Sequence, residues 1–278
     1  MSIVKRALGR LIHRGWDYLR EAAALHPGAT AGYRFRYFGE GACIAFPTGA
    51  IFGEQWIEIG DHTLIGERVT ISAGMVPGMD LGPDPIVRIG RGCSIGRGSH
   101  IVGHESIVIG DDVFTGPYVY ITDQNHAYDD PEVPIGRQWP RNKPVEIGSG
   151  SWIGAGAIIL PGTKIGRQSV VAGGAVVRGE FPDHSVIAGV PAKIVKRHSP
   201  ELGWYRTDSV SAPGSAGPGA PSPAGPAGHA AAASPAGPRA HSRAAVPPAR
   251  HGSPDGPAQG RNGSRPDPAE AHGPPRAG

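Results

Sequence analysis

The sequence predicts an all-β fold, a parallel β-helix of short stacked strands, with one helix before it and a tail after it. The main observation is a six-residue repeat in which an aliphatic residue, usually followed by glycine, returns at every sixth position. One run of the repeat begins at Ile59, a second at Ile89 and a third at Ile147. A short period that persists in this way indicates repeats that stack and bury one continuous core. Aromatic residues make up only 6% of the chain, which argues against a core formed mainly by packed helices.

The β-helix is predicted to span residues 31–198. Within each six-residue unit, alternation along the strand points one aliphatic and one small side chain inward, while glycine, Asp and Arg stand at the bends. Strands of neighbouring coils would lie about 4.8 Å apart and stack the aliphatic residues in a buried column. The repeat keeps its phase across a Pro- and Gly-rich insertion, Met75–Arg88, because the interval from Ile71 to Ile89 is a multiple of six.

Residues 1–30 are predicted to contain a basic amphipathic helix. Apolar residues recur at three- and four-residue spacing from Val4 to Leu19, and Lys and Arg residues flank them. Two interpretations stay open here: the apolar face packs against the β-helix or a neighbouring subunit, or it attaches peripherally to an anionic membrane surface. The sequence has no secretory apolar core at its N-terminus and no stretch approaching a membrane span, so the cytoplasm is the expected location.

The tail, residues 199–278, is predicted to be disordered. After Arg206 the sequence contains no Phe, Trp or Tyr and is rich in Pro, Ala and Gly. A segment of this composition buries too little apolar surface to offset the entropy lost on ordering.

Composition argues against two classes of site. The formal net charge is only +3, and no basic stripe interleaved with aromatic residues occurs, so nucleic acid is not an expected partner.

Cys93 occupies the small-residue position of its repeat unit, where a buried inert thiol is expected, and Cys43 stands fifty positions away. Neither cysteine is predicted to act as a nucleophile or to form a disulfide.

The repeat stops after Ile121 and resumes at Ile147, and residues 122–146 are predicted to form the catalytic loop. The segment is too long for a coil corner and is rich in ionisable side chains. Irregular segments on a rigid scaffold are where functional side chains are positioned, and His126 directly follows the end of a strand.

The sequence resembles the hexapeptide-repeat acyltransferases, in the galactoside and maltose O-acetyltransferase branch. The resemblance covers roughly residues 50–197 and is carried by the repeat units, the loop sequence NHAYDDP, the stretch KPVEIGSGSWIGAG and the ending VIAGVPAKIVKR. It implies that the β-helix is left-handed and that the protein is a homotrimer with active sites between subunits. It also implies acetyl-CoA as co-substrate and no metal.

The resemblance implies that His126 is the catalytic general base. A histidine, with a reference pKa near 6.5, can take a proton from the acceptor hydroxyl as its oxygen attacks the thioester, so no enzyme nucleophile is needed. Backbone N–H groups along the coils would stabilise the oxyanion. A carboxylate or carbonyl should orient the second ring nitrogen, and the sequence leaves Asp129, Asp130 and Glu132 open.

The resemblance also implies two groups of binding residues. The residues for acetyl-CoA would be Trp152, Ala155, Gly173, Arg178, Lys193 and Lys196. The three cations among them would face the nucleotide phosphates, and a helical or turn-like exit from the last coil would place both lysines on one side. The residues on the acceptor side would be His104, Glu105, Asp123 and Asn125. A histidine stands at position 104, where the family commonly has an acid.

The predicted function is CoA-dependent O-acyl transfer, most simply acetyl transfer, to a hydroxyl group of a sugar or glycoconjugate. One alternative is a metal-dependent enzyme like the β-helical carbonic anhydrases, suggested by His100, His104 and His126. A four-residue separation of the first two on a six-residue repeat turns them to different faces or heights, which argues against zinc ligation. The other alternative is a non-catalytic structural β-helix.

Overall fold

The computed structural model describes residues 2–76 and 78–207, and most of the predicted tail lies outside these ranges. The described chain begins with helix α1 (Ile3–Ala22) and continues as a triangular β-helix whose three walls are parallel sheets. Two short 3-10 helices, Glu54–Trp56 and Ile135–Arg137, interrupt the strands. The predicted parallel β-helix is confirmed.

Each coil of the β-helix contributes one strand to each wall. Sheet 1 contains β1 (Tyr37–Phe38), β4 (Ile57–Ile59), β7 (Val87–Ile89), β10 (Ile107–Ile109), β15 (Val145–Ile147), β18 (Lys164–Ile165) and β21 (Glu180–Phe181). Sheet 2 contains β2 (Cys43–Ile44), β5 (Leu64–Ile65), β8 (Ser94–Ile95), β11 (Phe114–Thr115), β16 (Trp152–Ile153), β19 (Val170–Val171), β22 (Ser185–Gly189), β23 (Ala192–Ser199) and β24 (Gly203–Arg206). Sheet 3 contains β3 (Ile51–Phe52), β6 (Thr70–Ala73), β9 (His100–Gly103), β12 (Tyr120–Thr122), β17 (Ile158–Ile159) and β20 (Val176–Val177). The order sheet 1, sheet 2, sheet 3 repeats along the chain and fits the left-handed β-helix that the resemblance implies.

The residues that define the six-residue repeat form the core. In sheet 1, Ile109 pairs in register with Ile89 below it and Ile147 above it, and all three are at most 3% exposed. The repeat residues of sheets 2 and 3 are buried in the same way, for example Ile153 and Ile159. Burial of each such side chain stabilises the fold by about 1.5–3 kcal/mol relative to leaving it exposed. The predicted aliphatic column is therefore confirmed.

Close contact between coils explains the glycine that follows many of these aliphatic residues. A Cβ added to Gly116 would lie 2.6 Å from the backbone nitrogen of Ala155 on the next coil. One added to Gly154 would lie 2.4 Å from the nitrogen of Gly173, one coil further on. Any side chain at these corners would force the coils apart.

The last coil ends in an antiparallel extension of sheet 2. Strand β22 pairs with β23, and β23 pairs with β24. Regular structure therefore continues to Arg206, past the predicted boundary at residue 198. The prediction of disorder for residues 208–278 falls outside the described residues.

Helix α1 stands apart from the core. Ser2 caps its N-terminus, with Oγ accepting a hydrogen bond from the Lys5 N–H at 3.3 Å, and none of its residues is buried. The chain then returns to the β-helix at Leu25, which is 3% exposed and exchanges backbone hydrogen bonds with Ile44. Within the described residues, no helix has both the length and the apolar character that a membrane span requires.

Candidate active site

Three irregular connections leave the β-helix along one edge, where the chain passes from sheet 3 to sheet 1. They are residues 74–86, 104–106 and 123–144, each lying between a strand of sheet 3 and the next strand of sheet 1. Because the coils stack in register, connections far apart in sequence lie above one another here. We call this line of connections the loop edge.

The longest connection carries His126 and is organised as a hairpin. Its first strand, β13 (Gln124–Asn125), pairs antiparallel with β14 (Arg141–Asn142). The Lys143 N–H extends this pairing by donating to the Asp123 carbonyl at 2.8 Å. His126 follows β13 directly, so a paired backbone fixes the start of the segment that presents its ring.

His126 lines a cleft of about 140 Å³ at the loop edge. The residues around this cleft are Asn125, His126, Ala127, Tyr128, Arg141, Lys143, Pro161 and Arg178. The imidazole is exposed, and three of the lining side chains are cationic. The cleft therefore combines a titratable base with positive charge.

Asp123 fixes the connection that crosses the loop edge one coil below the hairpin. Its carboxylate is fully buried and accepts hydrogen bonds from three successive backbone N–H groups, those of His104 at 2.8 Å, Glu105 at 2.8 Å and Ser106 at 2.7 Å. The sequence assigned Asp123 to acceptor binding, but it has no exposed surface and its oxygens are engaged by the backbone. In the structure Asp123 positions the backbone of residues 104–106, and His104 among them lies near His126.

His104 is the neighbour of His126 that this arrangement places. Its side chain is half-buried, and burial is the main reason why the pKa of His104 lies below its ordinary value. The nearby His126 lowers that pKa further, whereas the Asp123 carboxylate raises it. A lowered pKa keeps His104 neutral at pH 7, where its ring has one donor and one acceptor nitrogen. Asn125 precedes His126 and lines the same cleft, so the structure brings two of the four predicted acceptor residues, His104 and Asn125, near His126. Glu105 follows His104 and is exposed.

Two of the three candidate carboxylates for orienting His126 have other partners. Asp129 forms an ion pair with Arg141, which also lines the cleft. Asp130 accepts a hydrogen bond from the Glu132 N–H at 2.9 Å. Among the described residues no hydrogen bond or ion pair joins His126 to any of the three carboxylates, so the orienting group stays a prediction.

Two lysines predicted to bind acetyl-CoA share an exposed face, but for a different reason from the one expected. The last coil exits through a turn at residues 190–191, but residues 192–199 form strand β23, so the lysines lie on a strand and not on the predicted helical or turn-like exit. In a regular strand, residues three positions apart point to opposite faces. Here the pairing register shifts at a bulge, because Val186 is opposite Lys196 whereas Ile187 is opposite Ile194. The bulge adds one residue, and Lys193 and Lys196 consequently both lie exposed.

Strand pairing links these lysines to Trp152. Trp152 is opposite Val170, Val170 is opposite Val186, and Val186 is opposite Lys196. Paired residues in a sheet point to the same side, so Trp152 and the lysines lie on the outer face of sheet 2. Half of the Trp152 surface is exposed.

Ala155 and Gly173 lie on a third part of the surface, the edge between sheets 2 and 3. Both are exposed, and a Cβ added to Gly173 would lie 3.1 Å from the Ala155 carbonyl oxygen. Among the described residues, neither N–H group has a hydrogen-bond acceptor. Exposed, unpaired amides on adjacent coils are suited to bind the amide groups of an extended ligand.

Arg178 is separate from the two lysines. It lines the cleft that contains His126, at the loop edge. The resemblance grouped it with Lys193 and Lys196 as the cations that would face the nucleotide phosphates. Arg178 follows a strand of sheet 3, whereas the lysines extend sheet 2, so one chain places them on different sides.

The described residues contain no group of three or more His, Cys, Asp or Glu side chains that could hold a metal ion. Cys93 is buried and Cys43 half-buried, and burial raises the pKa of both thiols. Both are free, as predicted, and neither is in an environment that favours the reactive thiolate.

Comparison with known families finds two matches within the repeats. Residues 144–179 match the family described as "Bacterial transferase hexapeptide (six repeats)". Residues 86–122 match that described as "Hexapeptide repeat of succinyl-transferase". The segment between the matches contains the hairpin with His126.

Individual proteins show the same likeness. The chain is 38% identical over 148 residues to a probable acetyltransferase, Rv3034c, of Mycobacterium tuberculosis, a match that covers 53% of this chain and 46% of the relative. It is 40% identical over 109 residues to WbbJ of Escherichia coli, a putative lipopolysaccharide biosynthesis O-acetyl transferase, covering 37% and 56%. The chain thus spans about half the length of these curated relatives.

A solved structure shares the fold. AntD, an N-acyltransferase from Bacillus cereus in complex with dTDP and 3-hydroxybutyryl-CoA, superposes with a TM-score of 0.50 at 20% identity. The match covers 60% of this chain and 86% of that chain. The family matches and the relatives confirm the resemblance that was drawn from the sequence.

Proposed function

We propose that this chain, which belongs to the hexapeptide-repeat acyltransferase superfamily, is a CoA-dependent O-acetyltransferase that acts on a hydroxyl group of a sugar or glycoconjugate. The observation that carries the proposal is the placement of His126 in a cationic cleft beside His104, on connections that Asp123 fixes. The names of the similar proteins from M. tuberculosis and E. coli support the reaction class. The word lipopolysaccharide in the name of WbbJ supports a sugar acceptor.

The chemistry assigned to the chain is proton transfer at His126. A hydroxyl group is a poor nucleophile at neutral pH, and an unprotonated imidazole nitrogen of His126 would take its proton as the C–O bond forms. The co-substrate supplies the acetyl group as a thioester. His126 would then return the proton to the departing sulfur, so the residue ends the cycle unchanged. Neutral His104 can donate a hydrogen bond to the acceptor without competing as a cation, and Lys143 and Arg178 add positive charge near the developing oxyanion.

Three features support acetyl-CoA as the co-substrate. Lys193 and Lys196 lie exposed on one face, where two cations suit the nucleotide phosphates. Trp152 presents an apolar surface on that face, and the amides of Ala155 and Gly173 are unpaired among the described residues. This set matches a ligand that is polyanionic at one end and carries amide groups along its length.

We also propose that the active site forms between the subunits of a homotrimer. In one chain, His126 lies at the loop edge, whereas Trp152 and the lysines lie on sheet 2, with sheet 3 between them. A second copy that placed its sheet 2 against the first chain's loop edge would bring the two sets together. A cyclic three-fold arrangement of a triangular prism repeats that contact three times and leaves no unsatisfied surface.

Release of free CoA thiol during incubation with acetyl-CoA and a panel of hydroxylated acceptors tests the activity. The His126→Ala variant should lose at least about a hundredfold in turnover, the usual contribution of a general base. Subunit assembly and CoA binding should be unchanged, because the side chain is exposed. His13→Ala, which removes an exposed histidine on α1, is the matched control. Near-normal turnover of the His126 variant would remove this residue from the mechanism.

A further inference from the structure

Helix α1 presents an apolar face that the described chain leaves uncovered. Eight of its 20 residues are large and apolar, and each keeps between 48% and 77% of its surface exposed. These residues are Ile3, Val4, Leu8, Leu11, Ile12, Trp16, Tyr18 and Leu19. At 100° per residue, most of them share one side of the helix, with Leu8 and Leu11 near its centre.

The charges of α1 are distributed unevenly along its length. Lys5, Arg10 and Arg14 lie in the part of the helix that is distant in sequence from the β-helix, and no acid precedes Asp17. On the helical wheel Lys5 lies at one margin of the apolar face, between Ile12 and Trp16, and Arg14 lies beyond the other margin, next to Tyr18. Long cationic side chains at such borders can keep their stems on an apolar phase and their charges at a polar boundary.

The helix is attached at its C-terminal end. Arg20 in the last turn forms an ion pair with Glu67, and Leu25 exchanges backbone hydrogen bonds with Ile44 of the first coil. The attachment fixes the end of α1 that carries both of its acids, Asp17 and Glu21. The rest of α1, which carries the apolar face and the flanking cations, extends from this attached C-terminal end.

We propose that α1 binds the surface of an anionic lipid bilayer, with its apolar face at the acyl-chain boundary and its flanking cations among the lipid phosphates. A helix with a wide apolar face and flanking cations, too polar to span a membrane, is the kind that lies in the interface plane. Anionic headgroups supply the negative charge that the cations of α1 require, and such segments are attracted to them near the surface.

A second copy of this chain offers a poorer partner. The outward positions of sheets 2 and 3 carry no acid among the residues described there: they include Leu64, Ser94, Phe114, Trp152, Val170 and Val186 in sheet 2, and Thr70, His100, Tyr120, Ile158 and Val176 in sheet 3. On sheet 1, Glu58 already pairs with Arg36 and Arg88, Glu146 pairs with Lys164, and Glu180 lies opposite Lys164 in the strand pairing. Charge complementarity to the cations of α1 therefore favours an anionic lipid surface over a second copy of the chain.

Flotation of the purified full chain with vesicles tests the proposal. Vesicles of phosphatidylcholine with about 30% phosphatidylglycerol should bind the protein, and pure phosphatidylcholine vesicles should bind it at least about tenfold less. The Leu8→Gln, Leu11→Gln variant removes the centre of the apolar face without changing charge, and the Lys5→Gln, Arg10→Gln, Arg14→Gln variant removes cations. Each should reduce binding to the mixed vesicles at least about tenfold.

The control variant is Ile135→Gln, Leu202→Gln, which removes two apolar side chains of comparable exposure outside the helix and should bind like the wild type. Absence of wild-type flotation with mixed vesicles would overturn the proposal. So would equal binding by the two vesicle types. A lower molecular mass of the Leu8, Leu11 variant, together with no flotation of the wild type, would assign the face to another copy of the chain. The readout does not involve acetyl transfer, so its result is independent of the proposed enzymatic activity.

Discussion

The outer face of sheet 1 differs sharply from the outer faces of sheets 2 and 3, although one repeat builds all three. Sheet 1 is charged on the outside: Glu58 pairs with Arg36 at 3.2 Å, and Lys164 pairs with Glu146 at 2.9 Å. Sheet 2 exposes Phe114 and Trp152, at 53% and 50%. A contiguous apolar surface of this kind indicates a protein–protein interface, whereas a row of paired charged side chains is typical of a surface that faces solvent. The inward positions determine the coil, and the outward positions determine what each wall contacts.

The coil that contains β10, β11 and β12 offers the strongest test of this comparison, because the same substitution can be made on each wall. Phe114→Glu on sheet 2 should dissociate the subunits and lower activity at least about a hundredfold, because it places an unpaired charge in the proposed interface. Val108→Glu on sheet 1 should leave the oligomer intact. Light scattering coupled to size exclusion gives the mass of each variant. Equal masses for both variants would mean that sheet 2 is not an interface.

Mixing two variants, each of which is defective when acetyl-CoA is below saturation, sharpens the comparison further. His126→Ala lacks the proposed base, and Trp152→Ala with Lys193→Ala and Lys196→Ala lacks groups of the proposed CoA site. If each site draws these sets from different subunits, coexpressed mixed trimers should contain intact sites at about one quarter of interfaces, by random assembly. Activity should return to about that fraction of the wild-type value. Mixed oligomers without any recovered activity would place both sets of residues in one subunit.

Asp123→Asn tests the positioning role at the loop edge. The amide keeps the shape of the side chain but loses the charge that three backbone N–H groups share, so kcat should fall about tenfold and stability by about 1–3 kcal/mol. Asp61→Asn is the control, because the Asp61 carboxylate also accepts a backbone hydrogen bond, from Glu40 at 2.9 Å, at a corner between sheets 1 and 2. That variant should change stability but not kcat. A matching loss of kcat in both variants would reduce the role of Asp123 to stability alone.

The smallest expected effect concerns the lysines on sheet 2. Lys193→Ala with Lys196→Ala should weaken CoA binding about tenfold at low salt and less at high salt, where screening is stronger, with kcat at saturating CoA nearly unchanged. Calorimetric titration with CoA at several ionic strengths measures this. Arg36→Ala with Arg88→Ala removes the same charge from sheet 1 and should not alter binding. Unchanged affinity in the lysine variant would move the phosphate site toward Arg178.

The parts of the structure that were predictable depend on local, repeated signals. The buried column follows from isoleucine at every sixth residue, because strand alternation dictates which side chain points inward. His126 was predictable as a candidate because it lies where that repeat is broken.

The remaining features depend on contacts that have no local signal. Asp123 holds backbone groups 17 to 19 residues earlier in the sequence, and nothing in its own neighbourhood indicates a structural role. The bulge in β23 places Lys193 and Lys196 together, although a regular strand would separate them. Arg178 lines the cleft of His126 because it follows a strand of sheet 3, and the strands of sheet 3 end at the loop edge. Only the stacking of the coils brings the two residues to the same cleft.

At each end of sheet 2, the backbone that pairs with the terminal coil strand runs against the direction of the coil strands. Leu25 pairs antiparallel with Ile44 at the first coil, and β23 pairs antiparallel with β22 at the last. A stack of parallel coils would otherwise expose pairing groups at each end, to which another molecule could add coils indefinitely. Because Leu25 and β23 already occupy these pairing groups, an incoming coil cannot pair directly with the terminal coil strands of this wall. We therefore expect the number of stacked coils to be fixed within each polypeptide, and filament growth along the prism axis to be blocked at both ends.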